Sequence, residues 1–351
     1  MPHFLPDKLP AIVFMLAAML FPANSPAGGL GPFHLPPVGF SEMFRETPMF
    51  ISPDDHQEGR VQFNMAMRWF NVWAYHIEPQ DGYDGNDYDW ETRPDDFPFG
   101  HGSFLLDMET VSLNPRISVR LNERIQVDAT VPVVYQSGGI LDGFVEGFHD
   151  TFGIDQHNRD NWSRNDTTML YVSPAGKIID SSRQIPGTFL GNIVVGGSYR
   201  LRHAAPALGL RLLCKFPTST FNDGWKQNGI DATFQTTLAW NSGQFNGYHG
   251  AGVTFYGSNG IDELELKKLR FTMLNAVEYV LSPDFSLLAH LVAASPTADY
   301  PELDKPIVEL TMGFKKRMGR GVLEFGLIEN LFFYDNSPDM GVHVAYTFST
   351  F

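Results

Sequence analysis

The chain of 351 residues is short of cysteine, of charge and of basic residues, and each shortage excludes a class of protein. Its single cysteine, Cys214, rules out an intramolecular disulfide framework and a cysteine-rich zinc site. Lysine and arginine number 25 against 40 aspartates and glutamates, which argues against nucleic-acid binding. No apolar run is long enough to cross a bilayer as a helix. The hydrophobic content of 43% argues against wholesale disorder.

The first 27 residues have the features of a secretory signal peptide. Lys8 precedes an apolar stretch over residues 11–20, which has the length of a signal core and is too short for a transmembrane helix. Ser25 and Ala27 satisfy the rule of small residues before the cleavage site, so we expect cleavage after Ala27. The mature protein is therefore expected to leave the cytoplasm, where its scarcity of cysteine suits an oxidising compartment.

Alternation of apolar and polar residues dominates the rest of the chain. From Val61 to Ile77 the odd positions are nearly all large and apolar, a pattern that only a strand produces. About twelve such stretches recur, many of them as long as a tilted transmembrane strand. In the second stretch the apolar residues stand at even positions up to Met108 and at odd positions from Ile117. This change predicts a bulge near Asn114-Pro115.

The connections between these stretches alternate between short and long. Short turns are predicted around residues 122–124, 203–206, 241–244, 282–284 and 316–320, with longer loops between them. This order is typical of an outer-membrane barrel with short periplasmic turns and long extracellular loops. We predict that residues 60–351 form one all-β domain, a transmembrane antiparallel up-and-down β-barrel of about twelve strands, in the outer membrane of a Gram-negative bacterium.

Both ends of the mature chain carry further signals. Residues 28–59 are rich in proline and glycine and show no period, which predicts either a periplasmic segment or a plug inside the barrel. The C-terminus resembles the last strand of bacterial outer-membrane barrels, which ends in an aromatic residue that the outer-membrane assembly machinery recognises. The residues that carry this resemblance are Tyr346, Phe348 and Phe351. The resemblance implies that the outer-membrane assembly machinery and outer-membrane lipids are partners of the protein.

Three segments resemble an uncharacterised proteobacterial outer-membrane β-barrel family, known only as a domain of unknown function and related to barrel transporters. They are residues 137–144 with 148–153, residues 335–339, and Lys215-Phe-Pro-Thr218, after which Ser219 stands where the family usually has glycine. The resemblance implies a barrel and supplies neither a substrate nor catalytic residues.

The parity predicted to face the barrel lumen carries charges of both signs. Two arrangements account for these charges. They form charged rings along an open pore, or they pair with one another, fill the lumen and only stabilise the barrel. The predicted lumen residues are Arg68, Asp107, Glu109, Arg116, Arg120, Asp128, Arg200, Arg211, Lys215, Asp231, Arg270, Glu278, Glu309 and Glu324.

Two predicted extracellular loops are candidates for further roles. Apolar residues recur at helical spacing in residues 140–153, which predicts a helix that covers the mouth as a lid or packs on the barrel. These lid residues are Leu141, Phe144, Val145, Phe148 and Phe152. The acidic loop 78–96 is either a solvated loop or a Ca²⁺ site, and its spacing does not match an EF-hand.

The sequence favours a non-enzymatic function and no cofactor. It has no Gly-x-Ser-x-Gly elbow, no phosphate-cradling loop and no cofactor motif. We expect a passive channel or uptake protein for small molecules, apolar ones included. The sequence does not identify the substrate. A lipid hydrolase built on an inward-facing His249 near Ser258 is one alternative. A structural or envelope-interaction protein without transport is the other.

Overall fold

The computed structural model describes most of the chain. The described residues are 29–38, 45, 48–53, 60–76, 100–153, 164–173, 176–221, 228–258, 260–261, 264–300, 303–332, 336 and 338–350. The predicted signal peptide with its cleavage site, the acidic loop 78–96 and Phe351 therefore lie outside the described residues. In the part of the chain that is described, no helix is long and apolar enough to cross a membrane.

The regular secondary structure of the described residues is almost entirely β-strand, with one helix, α1, at Asp142–Phe152. The strands are β1 Val61–His76, β2 Phe104–Arg120, β3 Ile125–Thr130, β4 Val133–Ser137, β5 Thr168–Val172, β6 Ile178–Asp180, β7 Gly187–Leu190, β8 Ile193–Arg202, β9 Ala207–Phe216, β10 Asp231–Ser242, β11 Phe245–Phe255, β12 Gly260–Ile261, β13 Leu264–Glu265, β14 Leu269–Ser282, β15 Phe285–Ala294, β16 Ile307–Met318, β17 Gly321–Phe332 and β18 Met340–Thr350.

These strands close into an antiparallel barrel. Strand β1 pairs with both β2 and β18, so the sheet has no open side there. Strands β3 and β4 form one wall strand interrupted at Val131-Pro132, and β7 and β8 form another across residues 191–192. The wall therefore has twelve strands, which confirms the predicted barrel. Strands β5 and β6 extend the wall beside β2, and β12 and β13 form a small hairpin in a loop.

The pleat separates an apolar outer face from a buried inner face. Along β1, Phe63 and Met65 are exposed outward while Gln62 and Asn64 are buried inside. The same alternation exposes large apolar side chains around the wall, among them Leu212, Phe234, Phe271, Met273 and Met312. A continuous apolar belt of this extent is a membrane-facing surface. Half-buried Cys214 lies on this face.

An aromatic girdle follows the short-turn end of the barrel. Rings on neighbouring strands contact one another, with centroids 5.2 Å apart for Phe63 and Phe348 and 5.0 Å apart for Phe245 and Tyr279. The girdle continues through Phe285 and the half-buried Phe314. Such girdles are expected where strands leave the hydrocarbon region.

The predicted bulge in β2 is wrong. Strands β1 and β2 pair residue by residue from Val61 and Val119 to His76 and Phe104, with no shift of register. Phe104, Leu106 and Met108 keep the inward parity and join an apolar cluster inside the barrel. The change in apolar parity has another cause: the interior itself becomes apolar toward the long-loop end, so apolar residues there face inward.

Candidate functional site

The N-terminal segment lies inside the barrel. An ascending arm, residues 29–38, runs from the short-turn end toward the long-loop end, since Leu30 contacts Glu278 near the end of β14 and Val38 contacts Glu309 near the start of β16. A descending arm, residues 48–53, returns, and Pro53 packs over Gly209 near the start of β9. The interior of the barrel is therefore filled largely by the chain's own segment.

Carboxylates of the wall bind the backbone of the ascending arm. The Leu30 N–H donates to Glu278 Oε1 at 2.6 Å, and the His34 N–H donates to Glu324 Oε2 at 2.9 Å. The Val38 N–H donates to both Glu309 oxygens, at 2.9 and 3.1 Å. An extended segment has no strand partner for its N–H groups, so buried acceptors satisfy them.

Donors of the wall bind the carbonyl groups of both arms. Lys315 Nζ donates to the Leu30 and Pro32 carbonyls at 3.2 and 2.6 Å. On the descending arm, Arg211 donates to the Met49 carbonyl at 3.2 Å, and Gln235 donates to the Pro48 carbonyl at 2.9 Å. The buried polar groups of the wall thus satisfy the main chain of the segment.

Glu324 is the centre of the best-connected cluster. Besides the His34 backbone, its carboxylate contacts His34 Nδ1 at 2.5 Å, Lys315 Nζ at 3.0 Å and His343 Nε2 at 3.2 Å. Phe33 is fully buried between His290 and His343, with ring centroids 5.9 and 5.7 Å away. Glu324 of β17 therefore links the ascending arm to Lys315 of β16 and His343 of β18, the strands on either side of it.

Apolar contacts anchor the descending arm. Phe50 is buried in a cluster with Tyr248 and Leu274 on the inner wall. It lies against Gly250, where an added Cβ would be 2.5 Å from Phe50 Cδ1, so only glycine leaves room for the ring. Between the arms, the Arg45 guanidinium stacks 4.2 Å from the centre of the Tyr256 ring and donates to the Ser258 and Lys267 carbonyls.

Most of the predicted lumen residues lie on the inner face. Ten of them are buried there: Arg68, Arg116, Asp128, Arg211, Lys215, Asp231, Arg270, Glu278, Glu309 and Glu324. Arg120 and Arg200 lie half-buried near the short-turn end. Two charged pairs link wall strands. Lys215 pairs with Asp231 between the neighbouring strands β9 and β10, and Arg211 of β9 pairs with Asp128 of β3 at 2.6 Å across β8, which lies between them.

Asp107 and Glu109 are not lumen residues. Because β2 keeps its register, both residues have the outward parity, opposite Trp73 and Asn71 of β1. Glu109 accepts hydrogen bonds from Trp69 Nε1 at 2.7 Å and from the Ile140 N–H at 2.6 Å. Gly139, at φ 74°, passes so close to Glu109 that a Cβ would overlap the carboxylate. Here the 138–141 loop covers the outside of the wall.

Helix α1 lies against the outer face of the wall. Asp142 accepts from Asn71 Nδ2 at 2.9 Å, and Asn71 has the outward parity of β1. The buried side of the helix is formed by Asp142, Val145, Glu146 and His149, while Phe144 is 58% exposed and Leu141 is half-buried. Of the two predicted placements, the structure therefore has the helix with Leu141, Phe144 and Val145 packed on the barrel and not as a lid over the mouth. The side chains of Phe148 and Phe152 lie outside the described residues.

Apolar residues of the wall and of the described loops instead pack together toward the long-loop end. The inner cluster includes Phe70, Phe104, Tyr171, Phe221 and Tyr300. The Tyr300 hydroxyl donates to the Val172 and Ser103 carbonyls at 2.7 and 3.1 Å. Burial, with a smaller contribution from Tyr171, raises the pKa of Tyr300 far above its ordinary value, so this hydroxyl remains a donor.

His249 faces outward, and the predicted inward orientation is wrong. It shares the parity of Phe245 and Phe255, while Tyr248 and Gly250 face inside. Trp240 Nε1 donates to His249 Nε2 at 2.9 Å, and His249 Nδ1 donates to Asn275 Oδ1 at 2.9 Å. Both ring nitrogens of His249 are therefore engaged in hydrogen bonds. Ser258 lies in the loop that follows the C-terminal end of β11. The geometry does not bring the two residues together as a catalytic pair.

Two cavities lined by described residues lie between the N-terminal segment and the wall. The larger, of about 60 Å³, faces an arc of wall from β1 through β2, β3 and β8 to β9. The smaller, of about 20 Å³, follows toward the short-turn end and is lined by the descending arm, β8 and β9. Arg211 lines both. Together they trace a sector of the lumen that the segment leaves unfilled.

This geometry defines a class: a transmembrane β-barrel whose lumen is occupied by its own N-terminal segment. The chain belongs to the family described as "Protein of unknown function (DUF3187)", whose family profile matches residues 99–350. No curated protein matches the sequence.

A solved outer-membrane channel shares the fold, and two solved transporters were also found in the comparison. An outer-membrane channel from Pseudomonas putida F1 is 12% identical, with a TM-score of 0.53 over 85% of this chain and 99% of that one. The toluene transporter TodX of Pseudomonas putida is 9% identical, with a TM-score of 0.43 over 85% and 92% of the two chains. The toluene transporter TbuX of Ralstonia pickettii is also 9% identical, with a TM-score of 0.46 over 84% and 90%.

Proposed function

We propose that the protein is a passive channel for small molecules in the outer membrane of a Gram-negative bacterium. The observation that carries this proposal is the row of two cavities between the N-terminal segment and one arc of the wall. They share Arg211, and the smaller one leads toward the short-turn end. A barrel that served only as a scaffold would have no need of unfilled space along one sector of its interior.

The inner surface suits solutes with an apolar part. Toward the long-loop end the interior is lined by an apolar cluster that includes Phe70, Met108 and Ile328. Toward the short-turn end it is lined by polar and charged side chains, among them Gln126 and Arg124. A solute crossing the barrel meets first an apolar and then a polar region, so amphipathic molecules interact favourably with both.

The volume of the larger cavity limits the size of the solutes that can occupy it. A volume of about 60 Å³ has room for roughly four to six waters, taking about one probe sphere for each. An apolar cavity of about 150 Å³ holds benzene, so this one takes only solutes smaller than benzene while the segment stays in place. Larger solutes would require the arms to move.

Flux into proteoliposomes tests this proposal. The full-length protein, reconstituted at known density, is expected to admit acetamide much faster than protein-free liposomes do, and to admit a disaccharide much more slowly than acetamide. Folding is verified on the same sample by its heat-modifiable gel migration. If the folded protein raises the flux of neither solute, the channel is wrong and the structural or envelope-interaction alternative is favoured.

A further inference from the structure

A basic cluster lies at the short-turn end of one sector of the wall. The turn between β2 and β3 lies beside the turn between β8 and β9, because β3 pairs with β8. With the strand ends next to them, the two turns carry the basic residues Arg120, Arg124, Arg200, Arg202 and His203, against one acidic residue, Glu123. Arg124 and Arg202 are exposed. Positive charge is therefore concentrated here in a chain whose net charge is −15.

The backbone of Arg124 is held firmly within this basic cluster. Asn122 Oδ1 accepts the N–H groups of Arg124 and Ile125 at 2.8 and 2.9 Å, which fixes the turn. The Arg124 carbonyl accepts the Arg200 N–H of β8 at 2.8 Å. Arg124 also borders the smaller cavity, but its Nη1 donates to the Tyr199 hydroxyl at 3.3 Å. This bond brings the guanidinium to the outer face, where Tyr199 lies.

Tyr199 belongs to the membrane-facing surface at the level of the aromatic girdle. Its side chain has the outward parity of β8 and is 39% exposed. The hydroxyl accepts from Arg124, so its own proton is available to a further acceptor. Arginine pairs well with phosphate, and tyrosine is favoured where hydrocarbon meets headgroups. This pair of side chains is therefore suited to the phosphate of a phospholipid.

A furrow in the apolar surface continues from Tyr199 toward the middle of the membrane. Gly197, the next outward-facing residue of β8, stands between Val127 of β3 and Leu212 of β9. Both flanking side chains are exposed, and nothing lies within 4 Å of a Cβ added to Gly197. The missing side chain leaves a shallow furrow with apolar walls, which suits an acyl chain.

We propose that the outer face at Arg124, Tyr199 and Gly197 is a binding site for an anionic phospholipid of the periplasmic leaflet. The lipid phosphate accepts hydrogen bonds from Arg124 and Tyr199, and one acyl chain lies in the furrow at Gly197. The basic cluster favours a headgroup with net negative charge over a zwitterionic one. This inference goes beyond the proposed channel and does not depend on transport.

Lipid binding to the folded full-length protein tests the site. Native mass spectrometry of the protein in detergent compares phosphatidylglycerol with phosphatidylcholine of identical acyl chains. The first phosphatidylglycerol is expected to bind about fivefold more tightly, or better, because of the nearby arginines. Equal binding of the two lipids would overturn the proposal. Binding of inorganic phosphate as tight as that of phosphatidylglycerol would also overturn it, since the site would then recognise free phosphate.

Variants of Arg124 locate the headgroup. Arg124→Gln is expected to weaken phosphatidylglycerol binding about fivefold, and Arg124→Lys is expected to restore part of the loss. Lys316→Gln is the matched control, because Lys316 is an exposed, outward-facing cation at the same end of β16, on the opposite side of the barrel. An equal loss in Arg124→Gln and Lys316→Gln would mean general attraction to the basic end and would contradict the site.

Filling the furrow tests the position of the acyl chain. Gly197→Leu is expected to weaken the binding of both lipids several-fold and to leave the preference for phosphatidylglycerol in place, since the headgroup contacts remain. Ala251→Leu, at an exposed outward position of β11, is the control and is expected to change neither. Heat-modifiable gel migration verifies that each variant is folded. Wild-type binding in folded Gly197→Leu would contradict the proposal.

Discussion

At the scale of single residues, charged side chains of the inner wall bind the main chain of the N-terminal segment. Glu278, Glu309 and Glu324 accept backbone N–H groups, and Lys315 binds two backbone carbonyls. Buried charges are costly unless they are paired and hydrogen-bonded, so each of these groups stabilises the protein only while the segment is in place. The wall and the N-terminal segment are therefore expected to depend on each other for stability.

Replacing Glu324 tests this dependence. Glu324→Gln removes the carboxylate from the buried Lys315 cation, which is expected to lower the free energy of unfolding by about 3–5 kcal/mol. Urea titrations of the protein in lipid vesicles measure the change. Asp284→Asn, which breaks an exposed ion pair, is the control and is expected to change it by less than about 0.5 kcal/mol. Equal effects would contradict the role of Glu324.

The outer-face residue His249 bears on the enzyme alternative. Its two nitrogens bond to Trp240 and Asn275, so it has no lone pair available to take a proton from a serine. We expect hydrolysis of a short-chain nitrophenyl ester by the folded protein in detergent to equal the solvent rate, in the wild type and in His249→Ala alike. If the wild type hydrolyses the ester and His249→Ala does not, the lipid-hydrolase alternative is supported instead.

At the scale of elements, the sequence predicted the strands well and their surroundings less well. Alternation over residues 61–77 identifies a strand and its apolar face because the membrane and the lumen differ sharply in polarity. The same rule failed in β2, where Phe104 and Met108 face an apolar part of the interior. Parity alone cannot tell lipid from a buried apolar cluster, and this ambiguity also misplaced Asp107 and Glu109.

The N-terminal segment and helix α1 show a second limit. Proline and apolar residues in 28–59 allowed a plug, but its arms have no period, and their partners are more than 160 residues away in the sequence, as for Arg211 and Met49. In α1 the apolar spacing predicted a buried apolar stripe, whereas Asp142 and Glu146 are on the buried side. Their partners Asn71 and Arg164 come from elsewhere in the chain, which helical spacing does not reveal.

A pair of glycine substitutions tests the descending arm. Gly250→Ala would place a Cβ 2.5 Å from Phe50 Cδ1 and is expected to displace Phe50, loosening the arm and raising the flux of butyramide several-fold. Gly197→Ala is the matched control, since nothing lies within 4 Å of its added Cβ, and its flux is expected to equal the wild-type value. An unchanged flux in Gly250→Ala would mean that the arm does not restrict the lumen.

At the scale of the whole molecule, the closed barrel follows from pairing on both sides of β1 and from the apolar belt. Every wall strand in the described part of the chain then has two neighbours, so the described wall presents no unpaired strand edge to lipid. This architecture is expected to make the folded protein resist detergent until it is heated. Unboiled protein should migrate faster than boiled protein on detergent gels, and identical migration would contradict the closed barrel.

Hydrogen exchange of the N-terminal segment tests the central claim most directly, that buried charges of the wall hold this segment inside the lumen. In the folded full-length protein, the amides of Leu30, His34 and Val38 are bonded to Glu278, Glu324 and Glu309. We predict that peptides covering residues 29–38 exchange orders of magnitude more slowly than the same peptides in the urea-unfolded protein. Exchange at the unfolded rate in protein whose barrel is folded would contradict the account.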